Sequence, residues 1–487
     1  MNRKKVLALL LAALMLTSVG CAGGETTADT AAVVTETEPV ETETEYVMWQ
    51  NLPETTLNGY EFRILEYMPG VDTGATILHG DATEVTGEAI NDAIYNRNRE
   101  VEERFDVIIT TEGVNWGQVA TTLEKAVSAG DAAYSIGMGT PSGMVSLMMK
   151  NALLNLYNVE NMDLSKPWYT QKHIERFTIQ DKLFIFMGDI SYSTLMFGAC
   201  MIYNVDLAER MGLPYIHDVV TEGEWTIDKM YEMTEGVAQD LNGDGAFKED
   251  DDQFAYSCQG SGNLMNFMFS SDANFILYDD DTDTFVNTFN LDKVQTIVEK
   301  MYRNFHDSNR GIDAKDYTKL FNDSRVLLRS AYVGSCINHQ EMEDAFTPIP
   351  YPKFDTAQEE YLSMMTGSVQ FMGIPTTVSD TAAVGLVVEA MSEHSAGDLN
   401  DAVYEKVLSY QTMRSEDAME ILQIIHESLI VDFGYLTATG NADKMKWIIG
   451  DLVVGKKSTD VASHVAKYEK AMVDFYDKML GEFSELG

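Results

Sequence analysis

The chain has 487 residues, 45% of them hydrophobic and 10% aromatic, enough for a sizeable core spread over roughly two to four domains or lobes. Its 77 acidic residues against 34 Lys and Arg give a net charge of −43. That balance excludes general nucleic-acid binding, which needs cations to displace phosphate counterions, and docking on anionic lipid through a basic patch. Four cysteines are too few for a disulfide scaffold.

At the N-terminus, Arg3, Lys4 and Lys5 precede an apolar run from Val6 to Leu16. The run is shorter than the roughly 20 residues of a membrane span and has the length of a secretory signal. Small residues then lead to Cys21 in Thr17-Ser18-Val19-Gly20-Cys21, which resembles a bacterial lipobox with Ser18 where Leu is usual. Residues 1–20 are expected to be removed as a signal peptide, and Cys21 to carry lipid. Residues 21–56 hold eight acids and no Lys or Arg, with Thr-Glu repeated. Such a segment buries too little apolar surface to order itself, and its like charges extend it as a tether.

Globular texture begins near Leu57. Tyr60 to Ile64 alternates apolar and polar residues as a strand does. Gly87 to Phe105 reads as a helix, with Ile90, Ile94, Val101 and Phe105 on one face. A β-branched strand follows at Asp106–Thr111, then a helix at Gln118–Ala129 and a short strand at Tyr134–Met138. Strand and helix in alternation signal a parallel α/β unit. Further on, Lys182–Met187 and Ser368–Pro375 read as strands. Asp206–Met211, Thr226–Gln239, Leu291–Phe305 and Ser379–Met391 read as helices. Val461, Val465, Tyr468, Met472, Phe475, Met479 and Phe483 mark a long amphipathic helix at the C-terminus.

Aromatic residues in loops are the first candidates for a site. Trp116 follows Gly113-Val-Asn115, Trp168-Tyr169 follows Lys166-Pro167, Tyr192 lies between Asp189 and Thr194, and Trp225 follows Gly223-Glu224. Flat rings stack on the C–H faces of sugars while carboxylates such as Asp189 take hydroxyls, in a concave site with few polar groups.

The sharpest local motif is Asp240-Leu-Asn242-Gly-Asp244-Gly-Ala246-Phe-Lys248-Glu-Asp-Asp251. Oxygen ligands at loop positions 1, 3 and 5 and the Ala246 carbonyl can wrap Ca²⁺, with an acid at position 12 to close the shell. Here that acid is Asp251 in place of the usual Glu, and Lys248 is a poor ligand at position 9. A structural calcium ion held by Asp240, Asn242, Asp244, Ala246 and Asp251 is the expectation.

Signatures of catalysis are mostly missing. There is no G-x-S-x-G elbow, no Walker A sequence and no H-E-x-x-H, since Ile430 stands where a second histidine would follow His426-Glu427. Cys200, Cys258 and Cys336 form no C-x-x-C pair and read as buried small hydrophobes.

Several stretches together resemble the extracellular solute-binding proteins of family 1, the sugar-type substrate-binding lipoproteins of ABC importers in Firmicutes. They are Gly87 to Phe105 with the strand Asp106-Val-Ile-Ile109, Ser128-Ala-Gly-Asp131-Ala-Ala-Tyr134, Tyr192 to Asp206, and Glu224-Trp225-Thr-Ile-Asp-Lys229. The resemblance implies an α/β, periplasmic-binding-protein-like clamshell of two lobes joined by hinge strands. Lobe 1 would be 57–193 and 366–415; lobe 2 would be 194–365 and 416–487. Hinges would lie near Ser193–Met196 and Thr366–Ser368. Ligand would sit in the interlobe cleft on Trp116, Asp131, Trp168, Tyr169, Asp189, Tyr192 and Trp225. The implied function is non-enzymatic: a lipid-anchored monomer on the outer face of the cell membrane that binds a carbohydrate and delivers it to an ABC permease. A secreted carbohydrate-active hydrolase and a ligand sensor for a signalling partner are the alternatives.

Overall fold

A computed structural model describes residues 48–67, 80–409 and 416–486. The expected signal peptide, Cys21 and most of the expected tether lie outside the described residues. The tether's expected end at residue 56 is corrected. Trp49 packs edge-on against Phe105, its indole N–H donates to the Ala390 carbonyl (3.0 Å), and its backbone N–H donates to Glu393 (3.0 Å). One large ring with a satisfied N–H is enough to dock this stretch on the body.

Two sheets organise the body. The first runs in the order β12-β3-β1-β2, built from β1 (Tyr60–Tyr67), β2 (Val107–Val114), β3 (Ile136–Gly139) and β12 (Phe371–Gly373). β1 pairs in parallel with β2 and β3, and β12 is antiparallel to β3. The helix Ala89–Phe105 makes the crossover from β1 to β2. It buries Ile90, Ile94, Val101 and Phe105, the stripe expected from the sequence. In β1, Phe62, Ile64 and Leu65 are almost inaccessible, each burial stabilising by about 1.5–3 kcal/mol.

The second sheet runs β10-β4-β9-β5-β8, from β4 (Ala199–Asn204), β5 (Phe254–Cys258), β8 (Gly311–Asp313), β9 (Val326–Tyr332) and β10 (Phe346–Ile349). β5 is parallel to β8 and β9, and β4 is antiparallel to β9 and β10. Two small pairs complete the strands among the described residues. β6 (Ile276–Asp279) and β7 (Thr284–Asn287) form a hairpin, and β11 (Ser363–Met364) pairs in parallel with β13 (Leu429–Ile430). The C-terminal helix Val461–Ser484 buries Val461, Val465, Met472, Met479 and Phe483.

Some expected elements are shorter or absent. Lys182–Met187 forms no strand. Phe186 exchanges both backbone hydrogen bonds with Met372 at the sheet edge, at a single bridge. Leu183 to Met187 are all buried, so they carry no alternation of faces, and Phe184 packs edge-on against Phe483 of the C-terminal helix. The helix expected over Thr226–Gln239 stops at Met233, ahead of Gly236 in the left-handed region. Cys200, Cys258 and Cys336 are buried and unpaired, as expected of small core residues. No described helix is long and apolar enough to cross a membrane.

Candidate functional site

Between the sheets the chain crosses at 189–198 and returns at 365–370. The helix Asn400–Ser409 packs on the Ala89–Phe105 helix, and the helix Glu416–Glu427 packs on β10. The two crossings lie side by side. Gly198 bridges Met365, the Thr366 N–H donates to the Phe197 carbonyl (3.1 Å), and the Val333 N–H donates to the Gly198 carbonyl (3.1 Å). Ser193–Met196 forms one buried helical turn, so the first crossing is a turn where a hinge strand is expected.

Side chains add to this backbone pairing of the two crossings. Ser191 Oγ donates to Gln370 Oε1 (3.1 Å) and lies 2.8 Å from Ser193 Oγ, which accepts from the Gln370 backbone N–H (3.2 Å). Gln370 in turn donates to Glu66 Oε2 (3.3 Å), and the Gly80 N–H donates to Glu66 Oε1 (2.9 Å). Arg97, fully buried, donates to the Ile190 carbonyl (2.8 Å), Ser395 Oγ (3.2 Å) and the Gly80 carbonyl (3.0 Å). Burial pulls its pKa down to about 10, against the opposing pull of Asp81 and Glu66. Tyr404 Oη lies 2.6 Å from His426 Nδ1, and His426 Nε2 lies 3.4 Å from Asp189 Oδ1 of the first crossing.

Both sheets direct strand ends at these crossings. At the carboxyl end of β1, Tyr67 donates to the Ser368 carbonyl (2.5 Å). At the carboxyl end of β9, Tyr332 packs its ring 5.6 Å from Phe197. Ligands of open α/β sheets bind outside the carboxyl ends of parallel strands. The juncture of Tyr67, Tyr332 and the crossings is therefore the floor of the candidate site. Two cavities lie elsewhere: one of about 160 Å³ beside Arg63, Thr110, Thr111 and Tyr134, and one of about 270 Å³ beside Phe254, Phe305, His306 and Lys457.

The seven expected ligand residues separate into three groups. Asp189 and Tyr192 lie in the first crossing, both buried. Trp168 is directly behind it, its carbonyl accepting the Asp189 N–H (2.9 Å). Trp116 and Asp131 are exposed on the first lobe, Trp116 at 65% just past the carboxyl end of β2. Tyr169 and Trp225 are corrected to core residues. Tyr169 is 1% exposed and donates to Glu389 (2.5 Å); Trp225 is inaccessible and donates to the Pro350 carbonyl (2.9 Å). A ring sealed by packing with its polar atom satisfied has nothing left to offer a ligand.

An aromatic pair that the loop reasoning misses lies on the second lobe. Half-buried Trp447 packs near Gly262, in the segment after the carboxyl end of β5. Lys446 donates to the Tyr435 carbonyl (3.0 Å) and sits over both the Tyr435 and Trp447 rings. The Tyr435 hydroxyl stands beside Gly367 of the second crossing. Trp447 follows Lys444 and Lys446 in a stretch with no Gly or Pro at its side, so only the basic-aromatic grouping marked it.

The 240–251 loop closes on itself. Asp240 accepts the N–H groups of Gly243 and Gly245 (both 2.7 Å), Asn242 that of Asp244, and Asp244 that of Ala246 (both 2.8 Å). Lys248 pairs with the other Asp244 oxygen. The closing acid is the buried Asp252 and not Asp251: it accepts from Leu241 (2.9 Å) and Lys248 (2.7 Å) backbone N–H groups. Among the described residues no three His, Cys, Asp or Glu side chains converge as a metal shell. The loop's carboxylates are engaged by its own backbone N–H groups and by Lys248.

Neither a protein-family model nor a curated protein sequence matches the chain. Solved structures do. UgpB from Mycobacterium tuberculosis, in complex with glycerophosphocholine, superposes with a TM-score of 0.55 at 12% identity, over 86% of this chain and 99% of that one. The GacH receptor of Streptomyces glaucescens GLA.O, solved unliganded and with acarbose, gives 0.52 at 11% identity over 86% and 99%. A family 1 extracellular solute-binding protein from Alicyclobacillus acidocaldarius gives 0.53 at 12% identity over 87% and 100%. The chain has the two-lobed fold of solute-binding proteins. At these identities the likeness is one of fold. The expected α/β clamshell is borne out, with the described crossings between its lobes.

Proposed function

We propose that the chain is an extracellular solute-binding protein that captures a carbohydrate between its lobes and presents it to an ABC permease without chemical change. The observation that carries this reading is the convergence of strand ends from both sheets, at Tyr67 and Tyr332, on paired crossing segments. Ligand that contacts both lobes stabilises the closed arrangement by its differential affinity, and a permease can read that arrangement. Trp447 and Tyr435 on the second lobe and Trp116 on the first supply rings for stacking, with Asp131 as a hydroxyl acceptor. Asp189, Tyr192 and Trp168 act from behind, shaping the crossing. Among similar folds, UgpB is in complex with glycerophosphocholine and GacH with acarbose, so sugar-like and phosphodiester ligands both belong in the test.

A thermal-shift screen of oligosaccharides and glycerophosphodiesters tests the reading. A solute at about 100 times its Kd raises stability by roughly 2.7 kcal/mol if it binds only the native state. A sugar that raises the melting temperature and is recovered intact supports it; a sugar that is hydrolysed moves the chain to the hydrolases. The signal peptide, lipid on Cys21, a monomeric state and an outer-surface location complete the proposal. Metabolic labelling with a fatty acid, lost in Cys21→Ser, tests the anchor.

Calcium at the 240–251 loop is a separate proposal that rests on the sequence pattern. It requires Lys248 to release Asp244 and Asp251 to turn inward. A melting temperature that rises with Ca²⁺ and falls back with EDTA supports it, and a curve indifferent to both counts against it.

A further inference from the structure

The crossings hold more buried polar chemistry than joining two lobes requires. Glu66, Arg97, Asn98, Ser191, Ser193 and Gln370 are all at most 1% exposed. Burying a carboxylate is costly unless it is paired and hydrogen-bonded, and an apolar junction of equal volume would avoid that cost. Glu66 stands at the carboxyl end of β1, next to Tyr67, whose hydroxyl holds the Ser368 carbonyl. Its two oxygens divide their work. Oε1 takes the Gly80 N–H, and the Gly80 carbonyl is held by Arg97 and by Asn98 Nδ2 (2.9 Å). Oε2 takes Gln370 of the second crossing, and Gln370 takes Ser191 of the first. Arg97 also grips the first crossing at the Ile190 carbonyl. The space at Gly80 is tight as well: a Cβ there would come 2.9–3.0 Å from Ile64, Thr111 and Glu66.

We propose that Glu66 is a positioning residue for ligand capture. Through Gln370 and Ser191 it clasps both crossings to the end of β1, and so sets how far the lobes stand open before ligand arrives. The inference rests on the solute-binding reading but concerns the ligand-free molecule. A hydrogen-bonded network with two discrete arrangements is a physical element whose equilibrium a remote ligand can bias. The clasp lies under the carboxyl edge of the first sheet, so it need not touch ligand to act.

The test measures lobe separation directly. Thr121, exposed on the helix Gln118–Ala129, and Asp292, exposed at the start of the helix Leu291–Tyr302, are changed to Cys and spin-labelled in a Cys21→Ser background. The other cysteines are buried. Inter-label distances are compared for the parent, Glu66→Gln, Gln370→Met and the milder Ser191→Ala, without ligand and then with maltotetraose and with glycerophosphocholine. The expected result is a broadened or displaced ligand-free distribution in Glu66→Gln and Gln370→Met, with a smaller change in Ser191→Ala. Affinity for whichever probe binds the parent should fall about tenfold, the scale of one lost hydrogen bond to a charged group. Variants that melt earlier but keep the parental distribution would overturn the proposal and leave Glu66 as a stabilising residue only. A parent that responds to neither probe counts against those two ligands, while the ligand-free distributions still decide the role of Glu66.

Discussion

The crossing segments and the 240–252 loop are built from similar residues and behave oppositely. Acid, amide and glycine recur in both: Glu66, Gln370 and Gly198 in and around the crossings, Asp240, Asn242 and Gly243 in the loop. In the crossings these groups are buried and bond to partners far along the chain, as Glu66 does to Gln370 and Arg97 does to Ile190. In the loop they are mostly exposed and bond to backbone a few residues away, as Asp240 does to Gly243. Burial is the difference. It turns a polar side chain from a local turn-former into a determinant of how two lobes meet, because an unmet buried partner costs far more than an exposed one.

Glycine gives the sharpest contrast. A Cβ at Gly188, at the head of the first crossing, would come 2.2 Å from the Trp168 carbonyl, so the backbone itself would have to move. Gly188→Ala should cost about 3 kcal/mol or more in denaturant melts. Gly243→Ala in the loop, where φ is +72° but nothing lies within 4 Å of the new carbon, should cost only about 1 kcal/mol. Equal costs at the two sites would break the comparison.

Behind the crossing, burial pushes the Glu389 carboxyl up to about 7 from an ordinary 4.5, against the pull of the Tyr169 hydroxyl and the Asp163 N–H. The folded state therefore holds this proton after the unfolded state has lost it. Stability from this group is full below about pH 4.5, falls as pH rises to about 7, and is flat above. The fall is on the order of 3 kcal/mol. Glu389→Gln should flatten that limb of the stability–pH curve, and an unchanged slope would place the carboxyl in a wetter setting. In the exposed loop the shift runs the other way: Lys248 and the Ala246 N–H hold the Asp244 carboxyl below its ordinary range.

Two tryptophans separate ligand from core. Trp447→Ala should weaken solute binding by ten- to a hundredfold with a modest loss of stability, as for a half-buried aromatic anchor. Trp225→Phe should lower stability and leave affinity near the parent value. Calorimetry and melting curves on the pair read both quantities. The smallest effect is expected at Lys248→Ala. Its pairing with Asp244 is surface-exposed and screened by solvent, so the melting curve should stay close to that of the parent.

The first lobe was largely legible in the sequence. The helix Ala89–Phe105 carries a clean apolar stripe, and the strands on either side of it declare themselves by alternation and β-branching. The second lobe and the crossings were less so. Even in the first lobe, Leu183 to Met187 are buried on every side, which erases the period that would tell strand from irregular chain. Position in a loop does not report burial. Trp225 and Tyr169 follow turn residues yet seal the core, while Trp447 has no turn beside it and lies near the carboxyl edge of the second sheet. The clasp at Glu66 is invisible in the sequence, because Gln370, which it holds, is 304 residues away in the chain.

The most direct measurement is a calorimetric titration of the full chain with a graded series of maltodextrins and with glycerophosphocholine, followed by mass analysis of the solute. One solute binding saturably at one per chain, recovered unchanged, and bound at least tenfold more weakly by Trp447→Ala is the expected result. Conversion of the solute, or full affinity in Trp447→Ala, would contradict capture of an unreacted carbohydrate between the lobes.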